Sequence, residues 1–222
     1  MKFFQYIRYF FYVAANWGFS IAFVLIRHEI RGEKKYGIYT TGADELQKLK
    51  KKGIDISHAT MYMPVSYQLL EETLRQIDNN SKKHFFDIGC GKGRAMCVAA
   101  HFGFKNILGV DFSKEFCDAA MVNLEATKKR LPAINYSVVE ADAAVTDIPG
   151  DVDCIFLFNP FDEKIMKRVL QNIKASLRKK PRTINIIYAN PICKKIFLDD
   201  GFSETYHTKK LHYFEISILT KK

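Results

Sequence analysis

The chain has 222 residues, of which 48% are hydrophobic and 26% are charged. This composition is that of a globular protein with one α/β domain and an extension, and it excludes a disordered chain and a membrane protein with many spans. The net charge of +10 favours an acidic partner such as nucleic acid, an anionic membrane surface or an acidic protein, although scattered solvated lysines would explain it as well.

The N-terminal segment is apolar and carries no charge from Tyr9 to Ile26, with basic residues on both sides. This run is just long enough to span a bilayer, and it does not resemble a cleaved secretory signal. Polar residues nevertheless recur at steps of three, four or seven and predict one polar stripe along a helix: Gln5, Arg8, Tyr12, Asn16, Ser20, Arg27 and Arg31.

A striped helix is typical of one that lies in a membrane interface or packs on a domain. We therefore predict that a helix over residues 3–31 attaches the protein to the cytoplasmic face of an anionic membrane, with a soluble packing helix as the alternative. Residues 32–58 predict a basic connecting arm with one short helix. The predicted domains are thus 1–58, the hydrophobic helix and arm, and 59–222, the main domain.

After the arm, Pro64 suits a helix N-terminus, and the apolar spacing that follows continues until Asp78. The stretch from His84 to Asp111 then predicts a strand, a glycine-rich loop, a helix and a second strand. This order is half of a nucleotide-binding βαβ unit, in which glycines let the backbone approach a ligand closely. Asp111 stands at the carboxyl end of the second strand, where a carboxylate can accept hydrogen bonds from both hydroxyls of a ribose.

The loop departs from the dinucleotide-binding pattern G-x-G-x-x-G. Its spacing is G-x-G-x-G, and Arg94 occupies the position of the third glycine in that pattern. The Asp87 carboxylate at the loop entrance would repel a pyrophosphate, but it can help to position an amino group or a cation. A nicotinamide-dependent oxidoreductase is therefore a less favoured alternative.

The sequence D-I-G-C-G-K-G-R, which begins at Asp87, resembles motif I of the class I S-adenosylmethionine-dependent methyltransferases, and Asp111 resembles their following acidic motif. The resemblance covers about residues 60–220. It implies a Rossmann-like α/β fold with a seven-strand mixed sheet, a terminal antiparallel hairpin and S-adenosyl-L-methionine as cofactor. The cofactor contacts implied are Asp87, Gly89, Cys90, Gly91, Gly93, Arg94, Asp111, Phe112, Asp142, Ala143, Asn159 and the lid residue Tyr62.

The later elements continue the α/β pattern. Ser113 is predicted to cap a helix, and a third strand leads to Asp142, where the resembled family contacts the adenine amino group. Cys154 to Phe158 is a continuous apolar run, typical of a strand buried on both faces of a parallel sheet. Asp162 is predicted to cap the next helix. A fifth strand, a short helix and two final strands complete the predicted order.

The tripeptide Asn159-Pro160-Phe161 follows the fourth strand and resembles the N-P-P-Y/F signature of amino-group methyltransferases. In that signature the Asn side-chain oxygen and the Pro carbonyl accept hydrogen bonds from the substrate amino group. Phe161 stands where the second proline would be. The resemblance implies that these three residues are catalytic and that the acceptor is an amino nitrogen. Protein, nucleic acid, lipid and small-molecule acceptors stay open, and the alternative from another class is a non-catalytic cofactor-binding or membrane-tethered adaptor.

The cysteines indicate a reducing compartment. They are odd in number and include no C-x-x-C pair, and several lie in apolar contexts: Cys90, Cys97, Cys117, Cys154 and Cys193. We predict reduced core thiols in a cytoplasmic protein. The sequence shows no metal-ligand spacing, so no metal is predicted.

Overall fold

The computed structural model describes residues 2–41, 64–158, 161–210 and 214–222. Its strands are β1 His84–Ile88, β2 Asn106–Asp111, β3 Asn135–Glu140, β4 Cys154–Phe158, β5 Ile184–Ala189, β6 Ser203–Lys210 and β7 Phe214–Lys221. Its helices are α1 Lys2–Trp17, α2 Phe19–Tyr36, α3 Tyr67–Leu74, α4 Arg94–His101, α5 Lys114–Arg130, α6 Glu163–Lys179 and α7 Lys194–Asp199, and a 3-10 turn spans Asn79–Ser81.

The strands form one seven-stranded sheet in the order β3-β2-β1-β4-β5-β7-β6. The first five strands are parallel to their neighbours, whereas β7 pairs antiparallel with both β5 and β6. The predicted Rossmann-like mixed sheet with a terminal antiparallel hairpin is therefore confirmed.

Both faces of the sheet are buried because side chains alternate along each strand. In β1, Phe85 belongs to the hydrophobic cluster beneath α2, α3, α4 and α5, whereas Phe86 and Ile88 belong to the cluster beneath α6 and α7. This arrangement explains why the central strands are mostly apolar on both faces. It also leaves the carboxyl ends of β1, β2 and β4 together at one edge of the sheet.

The helix N-termini form where the sequence predicts them. The Ser113 hydroxyl accepts a hydrogen bond from the N–H of Phe116, and the Asp162 carboxylate accepts one from the N–H of Ile165. Each bond satisfies a backbone donor that the first turn of a helix leaves without an internal partner. The Ser113 cap thus begins α5 directly after β2, and the Asp162 cap begins α6.

The N-terminal segment is a hairpin of two helices, and the prediction of one helix over residues 3–31 is wrong. Gly18 lies between α1 and α2 with a φ of +92°. The helices then run antiparallel, since the ring of Phe10 lies 5.0 Å from that of Phe23 and Tyr6 donates a hydrogen bond to Glu33. The uncharged run is therefore divided between two helices. Within the described ranges, no helix has the length and apolar character needed to cross a membrane.

The hairpin packs on the domain at Gly32 of α2, where the absence of a side chain lets the two parts come close together. A Cβ at Gly32 would overlap the ring of Tyr67, the first residue of α3. Next to this contact the Tyr36 ring stacks on the Tyr67 ring with centroids 5.7 Å apart. The predicted domain boundary at residue 58 lies outside the described residues.

We expect Gly32→Ala to destabilise the protein by about 1–3 kcal/mol, because the added methyl group overpacks the contact with Tyr67. This loss should exceed the gain of up to about 1 kcal/mol that replacement of glycine by alanine brings in a helix interior. Urea unfolding of the parent and the variant measures the difference. Gly150→Ala is the control, since its Cβ would meet side-chain atoms of Lys180 at 3.3 Å. Equal stability of Gly32→Ala and the parent would contradict this account of the docking.

Candidate functional site

The glycine loop after β1 is held against the end of β2 by its own backbone. The N–H groups of Gly89 and Cys90 both donate to the carbonyl oxygen of Val110, at 2.8 and 3.0 Å. The N–H of Gly91 donates to the carboxylate of Asp111 at 2.9 Å. These bonds bring the predicted loop residues and the predicted ribose carboxylate into one site.

Glycine is required in this loop for two physical reasons. Gly89, Gly91 and Gly93 all have positive φ, at 79°, 51° and 77°, in the region that other residues rarely adopt. A Cβ at Gly93 would in addition lie 3.1 Å from the Cβ of Ala120 on α5. The G-x-G-x-G spacing is thus a requirement of backbone conformation and of close packing.

Asp111 is buried, and backbone groups hold both of its carboxylate oxygens. Besides the bond from Gly91, the N–H of Ser113 donates to the second oxygen at 3.0 Å. Burial raises the pKa of Asp111 to about 6, although the N–H groups of Ser113, Gly91 and Phe112 stabilise the charged form. Phe112 itself is half-buried, directly after the strand.

Asp87 on β1 is a second buried carboxyl group in this region, with 2% of its surface exposed. Its pKa is raised well above the usual range, first by burial and then by the charge of Asp111. Two buried acidic groups thus lie near the ends of neighbouring strands, and burial disfavours the charged form of each.

A nucleoside with a ribose diol fits Asp111, because this carboxylate at the end of β2 can accept hydrogen bonds from both hydroxyls. In the described ranges, no group of three or more His, Cys, Asp or Glu side chains is arranged to hold a metal ion.

Asp142 and Ala143 follow β3 at the same edge of the sheet. The N–H of Ala141 donates to the carbonyl oxygen of Asp111 at 3.0 Å. Asp142 is therefore the next residue after one that is bonded to the end of β2. The Asp142 side chain is exposed and accepts a hydrogen bond from the N–H of Ala144 at 2.8 Å, whereas Ala143 is buried. Asp142 therefore comes just after the end of β3, at the edge of the sheet where Asp87 and Asp111 lie.

Three predicted site residues, Tyr62, Asn159 and Pro160, lie outside the described residues. Their roles as a lid residue and as acceptor-binding groups stay predictions. Phe161 is described, and it is half-buried against the hydrophobic cluster beneath α6 and α7.

The resemblance implies a cofactor contact at Arg94, but the guanidinium group of Arg94 binds residues of the N-terminal part of the chain. Arg94 forms a buried two-pronged ion pair with Glu29 on α2, with one N···O distance of 2.9 Å. It also donates to the hydroxyl of Thr40 and to the carbonyl oxygen of Val65, both at 2.8 Å, and lies 4.0 Å from the ring centroid of Tyr67. The first residue of α4 thus fastens the N-terminal hairpin beside the glycine loop.

A second acidic residue on α2 orders the chain after the hairpin. One carboxylate oxygen of Glu33 accepts hydrogen bonds from the N–H groups of Thr40 and Thr41, at 2.8 and 2.7 Å. The Thr41 hydroxyl donates to Glu29 at 2.9 Å. The sequence interpretation missed this network, although Glu29 and Glu33 lie one helical turn apart in an otherwise basic stretch.

Asn123 on α5 connects the same segment to the glycine loop. Its side-chain oxygen accepts from the N–H of Tyr39 at 2.8 Å, and its amide donates to the carbonyl oxygens of Tyr39 and Lys92 at 3.1 and 2.9 Å. Asn123 was not predicted as a site residue, since no local pattern marks it. Asn123 therefore binds both the segment that follows the hairpin and the glycine loop.

Comparison with known proteins agrees with this geometry. Residues 85–180 match the family model of a methyltransferase domain. No curated protein matches the chain in sequence.

Solved structures of low sequence identity share the fold. They include a SAM-dependent methyltransferase from Aquifex aeolicus, with a TM-score of 0.53, 16% identity and coverage of 78% of this chain and 97% of that chain. Magnesium protoporphyrin IX methyltransferase from Synechocystis PCC 6803 with bound SAM has a TM-score of 0.50 and 19% identity, covering 69% and 77%. A ribosomal protein L11 methylase from Lactobacillus delbrueckii subsp. bulgaricus has a TM-score of 0.50 and 16% identity, covering 70% and 77%.

We expect Arg94→Met to lower the free energy of unfolding by about 3–5 kcal/mol, because it leaves the Glu29 carboxylate buried without its cation. The double variant Arg94→Met/Glu29→Leu should lose less than the sum of the two single variants, since it removes both charges. Denaturant unfolding measures all three. Arg168→Met on the exposed face of α6 is the control and should change stability by less than about 0.5 kcal/mol. An Arg94→Met variant as stable as this control would contradict the fastening role.

Proposed function

We propose that this S-adenosylmethionine-dependent methyltransferase domain transfers a methyl group to an amino nitrogen. The observation that carries the proposal is the sequence Asn159-Pro160-Phe161 directly after β4. Strand β4 pairs in parallel with β1, with Leu157 opposite Ile88. Strands β1 and β4 therefore end at the same edge of the sheet, and the tripeptide is the next segment of the sequence after β4.

S-adenosyl-L-methionine is the cofactor of this domain. Asp111 would accept hydrogen bonds from the ribose hydroxyls, and Asp142 would accept one from the adenine amino group. The glycine loop would leave room for the ligand beside its backbone N–H groups. Asp87, buried at the entrance of the glycine loop, would help to position the positively charged part of the ligand.

When bound, S-adenosylmethionine supplies a methyl group on a positively charged sulfur, so the leaving group is already activated. The chain has to hold the acceptor in line with that bond. We propose that the Asn159 side-chain oxygen and the Pro160 carbonyl accept the two amino hydrogens and so direct the nitrogen lone pair. Such positioning can account for roughly 7–11 kcal/mol of a reaction barrier.

The fold does not select the acceptor. The similar structures are named for a porphyrin in one case and for a ribosomal protein in another. The proposal of an amino acceptor therefore rests on Asn159 and its two neighbours, and protein, nucleic acid, lipid and small-molecule amines all satisfy it.

We expect the affinity for S-adenosylhomocysteine to rise as the pH increases from 5 through about 6, because the hydroxyls of the ligand favour the ionised form of Asp111. The ligand keeps its own charges across this range. Asp111→Asn should weaken binding at pH 7.5 at least tenfold, as expected for loss of a charged acceptor worth about 1.5–3 kcal/mol. Calorimetry at several pH values measures both effects.

Asp111 should affect the stability of the free protein in the opposite direction. Its folded-state pKa of about 6 exceeds the ordinary 3.8, so its contribution to stability is complete below 3.8 and is lost as the pH rises through about 6. Asp111→Asn should therefore bind less and yet unfold no more easily at pH 7.5. Asp147→Asn, at an exposed carboxylate, is the control. Binding by Asp111→Asn that equals the parent's would contradict the cofactor assignment.

We expect Asn159→Ala to lower turnover on an amino acceptor by about tenfold to a thousandfold, the range seen when a transition-state hydrogen bond is removed. The affinity for S-adenosylhomocysteine should hardly change. The acceptor is first identified by transfer of a labelled methyl group, and turnover is then compared. Gln171→Ala, an exposed amide on α6, is the matched control. Unchanged turnover, or a methyl group found on oxygen or carbon, would refute the amino assignment.

A further inference from the structure

The N-terminal hairpin has a second apolar face, directed away from the domain. Its inner side chains are buried in a small cluster that contains Tyr9, Val13, Ala22 and Leu25. Seven of the twelve exposed large hydrophobic side chains of the described residues belong to the same two helices: Phe4, Ile7, Phe11, Phe19, Phe23, Val24 and Ile30. An apolar surface that the fold concentrates in this way is typical of an interaction site.

The exposed aromatic rings form one patch across both helices. The ring of Phe10 on α1 lies 5.6 Å from that of Phe11, 6.2 Å from that of Phe19 and 5.0 Å from that of Phe23. Phe11, Phe19 and Phe23 remain 60–65% exposed. The patch is thus preformed and needs no rearrangement of the hairpin.

Three basic side chains of α2 line the same groove as Phe23 and Ile30: Arg27, Arg31 and Lys34. All three are exposed, and within the described part of the chain none of them enters an ion pair. Their spacing of three and four residues keeps them on one side of the helix. The groove therefore combines apolar area with positive charge that no ion pair among the described residues balances.

We propose that this outer face of the hairpin docks on an anionic phospholipid bilayer, with α1 and α2 lying in the plane of the interface. Phenylalanine rings enter the boundary between headgroups and acyl chains, and the basic residues meet lipid phosphates. The absence of a membrane-crossing helix among the described residues agrees with this placement. This surface is separate from the methyl-transfer site and does not depend on which acceptor that site uses.

Other occupants fit the surface less well. In a symmetric dimer, Arg27, Arg31 and Lys34 of one copy would face the same cations of the other, and such like-charge contacts are costly. A nucleic acid would neutralise these cations but would leave the phenylalanine patch in water. A bilayer with anionic lipid is the partner that satisfies both features, and the buried Arg94–Glu29 pair then holds the catalytic domain beside it.

The full chain tests the proposal by co-sedimentation with vesicles of phosphatidylcholine, with and without phosphatidylserine. We expect stronger binding to the anionic vesicles and weaker binding at high salt, because salt screens exposed charges. Phe19→Ser/Phe23→Ser should lower the binding constant at least tenfold on both vesicles. Arg27→Gln/Arg31→Gln/Lys34→Gln should lower the preference for phosphatidylserine at least tenfold.

Matched controls remove the same chemistry from other surfaces. Val122→Ser/Ile192→Ser removes two exposed apolar side chains, and neutralisation of three exposed lysines by glutamine at Lys83, Lys105 and Lys164 removes the same charge. Both controls should bind anionic vesicles within about threefold of the parent, allowing for the weak pull of distant charges.

Three results would overturn the proposal. The first is a parent protein that ignores anionic vesicles, and the second is a control that loses as much binding as the patch variants. The third is a dimer that Phe19→Ser/Phe23→Ser dissociates while vesicle binding is absent, since this would assign the face to a second copy. Phe4→Ser/Phe11→Ser on α1 replaces the first pair if that pair fails to fold. S-adenosylhomocysteine affinity, measured in the same variants, should stay at the parent value and separates this test from that of methyl transfer.

Discussion

The buried ion pair between Arg94 and Glu29 joins the two parts of the molecule. Removing two such charges from water costs several kcal/mol per ion, and further hydrogen bonds at Thr40, Thr41 and Val65 offset that cost. Since Arg94 directly follows the glycine loop, the hairpin is attached at the point where the loop becomes a helix. The N-terminal helices are therefore part of the scaffold of the site.

Two buried carboxyl groups of the site lower the stability of the ligand-free protein near neutral pH. Asp87 and Asp111 are buried near each other, and burial raises the pKa of both groups. Residues that a fold retains at such a cost are typical of functional sites, because the ligand supplies the missing interaction. At Asp111 that interaction would be hydrogen bonds from the hydroxyls of a ribose.

Helix α2 serves two surfaces because it separates its charges by sign. Glu29 and Glu33 lie on the buried side, where they bind Arg94 and the backbone of the following segment. The basic residues of α2 around Arg27 and Arg31 lie on the exposed side. A stretch that mixes acids and bases in sequence is thus acidic towards the domain and basic towards its surroundings, since neighbouring residues on a helix point about 100° apart.

The strands, the glycine loop and the place of Asp111 at a strand end could be predicted from the sequence, because alternation, glycine spacing and helix caps are local signals. Tertiary structure alone decided that the chain reverses at Gly18, since an uninterrupted apolar run is compatible with one helix or two. It also decided the partner of Arg94, which lies 65 residues earlier, and the bonds of Asn123 to a segment 84 residues away. Such pairs depend on how separate elements pack, and no local periodicity encodes that packing.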